Sequence, residues 1–303
     1  MKQFKTMKNW IQAARLRTLP LSLSGIIVGS AYAYHQGFYD YRILGLALLT
    51  TLGLQILSNY ANDYGDGIKG TDANRIGEKR MVAAGFITAN QMKKAVIITA
   101  SITLVLALSL IYVAFGKENF ALSMIFILLG IGSIGAAIKY TVGSNAYGYN
   151  GLGDLFVFIF FGLVSVLGSN FLYTKILDWK LVLAAASIGL LSVAVLNLNN
   201  MRDIENDRVA GKRTLVVKMG LKNAKKYHVF LLVMALLLFL VFSILINSSL
   251  SAIITIIVLI LPHMRTVLRA DSYEDFDPEL KKVALTTFVL SILFTIGLIF
   301  NFY

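Results

Sequence analysis

Two stretches of the chain set carboxylates, carboxamides and basic side chains at helical spacing. The first runs Asn59-Tyr60-Ala61-Asn62-Asp63-Tyr64-Gly65-Asp66-Gly67-Ile68-Lys69-Gly70-Thr71-Asp72, with Arg75 just beyond. On a helix Asn62 and Asp66 share a face, with Asn59 and Asp63 beside them. The second runs Asn197-Leu198-Asn199-Asn200-Met201-Arg202-Asp203-Ile204-Glu205-Asn206-Asp207-Arg208, followed by Lys212 and Arg213. There Asn199, Asp203 and Asp207 form a row with a step of four. Carboxylates gathered this way resist joint ionisation unless a cation intervenes. Hard oxygen donors suit Mg²⁺, which takes few protein ligands and shares its remaining positions with phosphate oxygens. The interleaved Lys and Arg are phosphate donors. Together these residue types describe a site for a metal and a diphosphate. A third segment, residues 139–154, carries Lys139, Tyr140, Tyr147, Tyr149 and Asp154 among glycines. It reads either as a shaped aromatic pocket or as an interfacial aromatic belt with turn glycines.

Apolar spans must position these motifs. Of the 303 residues, 57% are hydrophobic and 15% charged, against about 25% charged in soluble domains. Long uncharged runs read as membrane helices, because each must satisfy its own backbone in hydrocarbon. Nine spans are expected, at about residues 19–36, 43–61, 95–115, 120–142, 155–173, 181–198, 227–246, 250–262 and 283–302. The chain then reads as an all-α, polytopic membrane helix bundle, a single membrane-embedded domain over 1–303. Residues 1–17, with Phe4, Met7, Trp10, Ile11 and Ala14 among lysines, read as an interfacial amphipathic helix on anionic lipid. Residues 62–94 and 199–226 become cytoplasmic Asp-rich loops. With the N-terminus inside, all of the 28 Lys and Arg except Arg42, Lys117, Lys175 and Lys180 fall on the cytoplasmic side, as the positive-inside rule requires. Four crossings separate the two motifs and return the chain to the same face. The expected location is a bacterial plasma membrane. A cleaved leader is the alternative for the first span, with Ala31-Tyr32-Ala33 as a mimic of a cleavage site.

Other patterns are set aside on context. Gly130-Ile131-Gly132-Ser133-Ile134-Gly135 has the letters of a dinucleotide fingerprint, but it lies inside an apolar span, where close helix packing explains small residues better. Gly25 and Gly29 read as a packing pair. Gly65–Thr71 puts its Lys before the last Gly and so fails as a phosphate loop. The absence of cysteine excludes disulfides, thiolate zinc, Cys-ligated iron–sulfur clusters and c-type haem. The net charge of +12 belongs to the inside loops and does not call for nucleic acid. His35, His228 and His263 read as unpaired interfacial residues. Asp271, Glu274, Asp275, Asp277 and Glu279 read as solvated surface.

These residues resemble the UbiA superfamily of intramembrane prenyltransferases, and within it the branch acting on 1,4-dihydroxy-2-naphthoate in menaquinone biosynthesis. The resemblance covers most of the chain. It rests on Ala13-Ala14-Arg15 with Thr18-Leu19-Pro20, on Asn62-Asp63-Tyr64-Gly65-Asp66 with Lys69-Gly70-Thr71-Asp72, and on Arg75-Ile76-Gly77. It continues in Tyr147-Gly148-Tyr149, Gly151-Leu152-Gly153-Asp154, Asn200-Met201-Arg202-Asp203-Ile204, Asp207 and Ala210-Gly211-Lys212. Two departures stand out. Gly70 fills the place of the superfamily's usual last Asp, with Asp72 two residues later, and Asn145-Ala146 stands where a proline is expected. The resemblance implies a nine-helix bundle that transfers a polyprenyl group from polyprenyl diphosphate to the naphthoate, with loss of diphosphate and CO₂. It implies Mg²⁺ on Asn62, Asp66, Asp203 and Asp207. Asp66, Asp203, Asp207 and Lys139 make up the catalytic set. Asp63, Lys69, Asp72, Arg75, Tyr140, Tyr147, Tyr149, Asp154, Arg202, Arg208 and Lys212 are expected to bind substrate. A relative using 4-hydroxybenzoate, homogentisate or haem would share the metal site. A cation-coupled transporter is the reading from another class, although transporters place ionisable groups near mid-membrane and these acids sit at span ends.

Overall fold

A computed structural model describes residues 2–70, 79–117, 119–143 and 146–300 of the chain. The expected contributions of Asp72 and Arg75 lie outside the described residues. Among these residues every element is helical. α1 (Lys2–Ala14) leads through a 3₁₀ turn (Leu16–Thr18) into α2 (Leu19–His35), where Pro20 sits at the helix start. Its missing N–H costs nothing there. α3 (Tyr41–Lys69), α4 (Ala89–Phe115) and α5 (Phe120–Lys139) follow. α6 (Gly153–Val157), a π-helical stretch (Phe158–Val164) and α7 (Ser165–Thr174) run on as one span. α8 (Trp179–Arg202), the short α9 (Ile204–Val209), α10 (Leu215–Leu245), α11 (Ser251–Arg269) and α12 (Phe276–Ile299) complete the bundle.

Eight of these spans are long and apolar enough to cross a membrane. The ninth expected crossing is α2, whose 17 residues pack against α7 and α12. The chain is a multi-pass membrane protein. Local chemistry sets the helix ends. Asp40 accepts from Arg42 N at 2.8 Å to start α3, and Thr88 and Gln91 form a reciprocal capping box at α4. Gly70, at φ +70°, ends α3, a left-handed geometry that glycine adopts without penalty.

The helices overrun the expected spans at the motif end. α3 continues through Lys69, so Asn62, Asp63 and Asp66 lie on the helix and not in a loop. α11 passes Pro262 and reaches Arg269, a full crossing where a short one was expected. α8 is the central helix, packed on α10, α12 and the π-helical stretch, and nearly three quarters of its apolar window is buried (72%). α5 is the opposite case: it has no buried residue and packs only on α3 and α4 among its principal contacts.

The glycines sort by neighbour. A Cβ on Gly29 would lie 2.3 Å from the Val166 carbonyl oxygen, so α2 and α7 meet backbone to backbone. The fingerprint-like glycines of α5 do not pack in this way. A Cβ on Gly130 would meet only Ala107, at 3.9 Å, and Gly132 and Gly135 face open space. The histidines also differ from expectation. His228 and His263 are both buried, their Nε2 atoms 2.8 Å apart, and His263 Nδ1 is held by the Glu279 carboxylate. Glu279 is therefore core and not solvated surface.

Candidate active site

The first motif divides its side chains between two jobs. Asn59 donates to the Ala14 carbonyl at 2.8 Å and pins the N-terminal arm. Asp63 is buried and accepts from Met81 N at 2.9 Å and Val82 N at 3.0 Å. It fastens the loop that carries Arg80, and it does not face the cavity described below. Asn62 and Asp66 do line that cavity. Asn62 accepts from the Thr141 hydroxyl at 3.1 Å. Asp66 accepts from the Tyr149 hydroxyl at 2.6 Å and pairs with Arg80 at 3.3 Å and Lys212 at 3.2 Å.

The second motif straddles a helix break. Asp203 ends α8 and begins α9, so the expected row bends after its second member. Asp203 is buried against Arg202, whose Nε and Nη2 donate to its two oxygens at 2.8 and 2.9 Å. Asp207, on α9, receives the backbone N–H of Lys212 on its own carbonyl at 2.8 Å. The turn at Gly211 (φ +72°) makes that return possible. The Lys212 ammonium then lies 3.8 Å from Asp207 and 3.2 Å from Asp66. A single ammonium thus touches both motifs, which places the tips of α3 and α9 on opposite sides of one mouth.

The third segment closes the mouth. Residues 147–150 form a 3₁₀ turn, fastened to the second motif by Arg213 N donating to the Tyr149 carbonyl at 2.8 Å. The Tyr149 ring carries Lys69 Nζ at 4.0 Å and Lys212 Nζ at 4.8 Å from its centroid. Tyr147 stacks on Phe156 at 4.0 Å, meets Tyr140 edge-on at 5.3 Å and donates to the Ala136 carbonyl at 2.8 Å. Burial pushes the Tyr147 hydroxyl up, so it stays a neutral donor. This is the shaped pocket of the two readings, since the rings point into the bundle.

The three segments meet at one cavity of about 760 Å³. Its polar mouth holds Asn62, Asp66, Arg80, Asp203, Asp207 and Lys212, with Tyr140, Tyr147 and Tyr149 alongside. From there an apolar groove runs past Leu110, Phe126, Phe161 and Leu172. The other expected residues are placed elsewhere. Lys139 is exposed and outside the wall, because it points off the outer face of α5. Asp154 accepts from Tyr227 at 3.1 Å beside the cavity. Arg208 is exposed and pairs with Glu205 at 3.0 Å. Lys69 donates to the Thr141 carbonyl at 2.8 Å, next to the mouth. Arg202 is buried behind Asp203, whose carboxylate it holds, and does not line the cavity.

Sequence reasoning missed Arg80, Arg15 and Arg17, all of which line the cavity. Nothing in spacing marks Arg80; it is brought back fourteen residues along the chain by the grip of Asp63 on the next two amides. It also missed Asp277, which lies in the acidic stretch assigned to solvent and pairs with Arg17 and Arg202. The donor set of the two motifs is oxygen throughout, which fits Mg²⁺. Among the described residues, however, no three acidic or histidine side chains converge on one point. The carboxylates stand on two walls, with basic groups between them.

The UbiA prenyltransferase family model matches residues 22–299. The 1,4-dihydroxy-2-naphthoate octaprenyltransferase of Escherichia coli (strain K12) is 42% identical over 299 residues, covering 98% of this chain and 96% of that protein. The enzyme of the same name from Haemophilus influenzae is 41% identical, covering 97% and 96%. Among solved structures, a UbiA homolog from Aeropyrum pernix K1 superposes with a TM-score of 0.70 at 15% identity, covering 95% of this chain and 99% of that one. A UbiA homolog from Archaeoglobus fulgidus bound to GPP and Mg²⁺ gives a TM-score of 0.65 at 15% identity, covering 96% and 98%.

Proposed function

This chain belongs to the UbiA prenyltransferase family, and we propose that it transfers a polyprenyl group from polyprenyl diphosphate to 1,4-dihydroxy-2-naphthoate, giving the quinol form of demethylmenaquinone, diphosphate and CO₂. The observation that carries the reading is the single cavity that joins a polar mouth, built from both Asp-rich motifs, to an apolar groove. A diphosphate with a long hydrocarbon tail needs both. The near full-length likeness to two enzymes named for this acceptor supports the choice among aromatic acceptors.

In this reading Lys212 and Arg80, already drawn onto Asp66, meet the diphosphate oxygens. Fixed positive charge where negative charge develops is commonly the largest catalytic contribution. Asn62 and Asp66 on one wall, and Asp203 and Asp207 on the other, would hold Mg²⁺, which takes one or two carboxylates and fills its remaining positions with phosphate and water. When bound, Mg²⁺ supplies charge neutralisation to the departing diphosphate. The donor C–O bond breaks, and Tyr140, Tyr147 and Tyr149 offer ring faces to the allylic cation, each worth about 0.5–2 kcal/mol. A C–C bond forms at the ring carbon bearing the carboxylate. The electron pair of the C–CO₂ bond restores the aromatic ring, so no side chain has to remove a ring proton. The groove keeps water from the cation. We read the motif end as facing the cytoplasm of a bacterial cell, a reading that the distribution of Lys and Arg supports.

The test is an assay of purified protein in nanodiscs with Mg²⁺ and a polyprenyl diphosphate, offering the naphthoate, 4-hydroxybenzoate, homogentisate and haem together. Mass spectrometry is expected to find prenylated naphthoate lacking its carboxylate. Prenylation of another acceptor in preference would overturn the assignment.

A further inference from the structure

Asp203 reaches the cavity with its back against Arg202, and Arg202 is among the most deeply buried large side chains of the protein, 1% exposed. A guanidinium that far from water needs an acceptor for each of its N–H groups and balancing negative charge. Two of its nitrogens go to Asp203, and Nη2 also reaches Asn199 Oδ1 at 2.8 Å. The third nitrogen, Nη1, is taken by Asp277. Asp277 belongs to neither Asp-rich motif. It sits in the first turn of α12, 75 residues further along the chain.

The same carboxylate accepts from Arg17 at 3.2 Å. Arg17 ends the N-terminal arm and lines the cavity, whereas Asp277 and Arg202 do not. Asp277 thus stands between two guanidinium groups, one directly behind Asp203 and one at the cavity wall. Without its charge, the Arg202 charge would fall on Asp203, and Arg17 would lose an acidic partner beside the cavity. Asp203 would then be over-neutralised and drawn from the cavity.

We propose that Asp277 is a positioning residue of the active site: it holds Arg202 and Arg17 apart and so keeps Asp203 available to a metal-bound diphosphate. This rests on reading the mouth as a metal–diphosphate site. The two ideas separate in one binding experiment on the full-length protein in nanodiscs. Affinity for inorganic diphosphate is measured with and without Mg²⁺ by calorimetry, and melting is recorded alongside. The wild-type chain is expected to bind more tightly with Mg²⁺. Asp277→Asn is expected to lose at least tenfold of that Mg²⁺-dependent gain, while Asp277→Glu, which keeps the charge, stays within threefold of wild type. Wild-type binding that ignores Mg²⁺ would overturn both the site and this inference. A wild-type gain kept in full by Asp277→Asn would overturn the inference alone, as would equal loss in the Asn and Glu variants. Should Asp277→Asn fail to fold, Arg17→Gln combined with Asp277→Asn removes the surplus positive charge. That double variant is expected to fold and to bind no more weakly than Arg17→Gln; weaker binding, or failure to fold, would overturn the proposal.

Discussion

At the scale of the residue, the site is an arrangement of opposite charges that already satisfy one another. Asp66 is buried and receives Tyr149, Arg80 and Lys212; Asp203 is buried against Arg202. Removing either carboxylate takes away a proposed metal donor and an acidic partner of a buried arginine. Asp66→Ala and Asp203→Ala are each expected to lower turnover by at least about 10²–10³-fold, with the proteins still recovered from membranes; near-normal initial rates in either would refute the metal assignment. Tyr149 offers a finer probe. Tyr149→Phe keeps the ring beneath Lys69 and Lys212 but deletes a hydrogen bond to a charged group, worth about 1.5–3 kcal/mol. A fall in kcat of roughly tenfold or more is expected, together with a lower melting temperature, since the bond is already made in the ligand-free protein.

At the scale of the element, close approach and open space distinguish glycines that look alike in the sequence. Gly29 lies where α2 meets the backbone of α7, so Gly29→Ala puts a methyl group on a carbonyl that cannot step aside. It is expected to destabilise by about 1–3 kcal/mol, as overpacking does, read as a lower melting temperature. Gly132→Ala on α5 meets nothing within 4 Å and is expected to melt at or slightly above wild type, because alanine is the better helix former by up to about 1 kcal/mol. A drop of several degrees for Gly132→Ala would mean that α5 packs more closely than described.

At the scale of the whole molecule, the bundle brings distant chain segments to one end and leaves the mouth electrically balanced by its own side chains. Lys212, Arg80 and Arg202 already stand against the acidic groups, so the fold is expected to stand without a divalent ion. Chelation with EDTA is expected to abolish turnover and leave the melting temperature of the ligand-free protein unchanged. Mg²⁺ with diphosphate at 100 times its Kd should stabilise by about 2.7 kcal/mol through mass action. A large drop in ligand-free melting on chelation would contradict this. Orientation is open to a direct test because the chain has no cysteine. Lys218→Cys is expected to be protected from a membrane-impermeant maleimide in intact cells, and Lys175→Cys to be labelled. The reverse pattern would invert the topology.

Hydropathy and helical spacing were enough to define much of this protein. A backbone in hydrocarbon must hydrogen-bond within its own helix, so nine apolar runs implied nine helices, and an even number of crossings put Asp66, Asp203 and Asp207 at the same end. Asn62, Tyr147, Tyr149 and Lys212 were also legible, because their types and positions repeat a known family's pattern. Tertiary structure decided the rest. Whether Asp63 faces a ligand or two backbone amides depends on where a loop eighteen residues later returns. Whether Arg202 meets phosphate or supports a carboxylate depends on α12 lying behind it. The pairing of His228 with His263, the entry of Arg80 into the mouth and the seat of Asp277 beneath Arg17 are likewise contacts between helices far apart in sequence. Period and hydropathy report which face of a helix is apolar; which partner a polar side chain finds is set by how the faces come together.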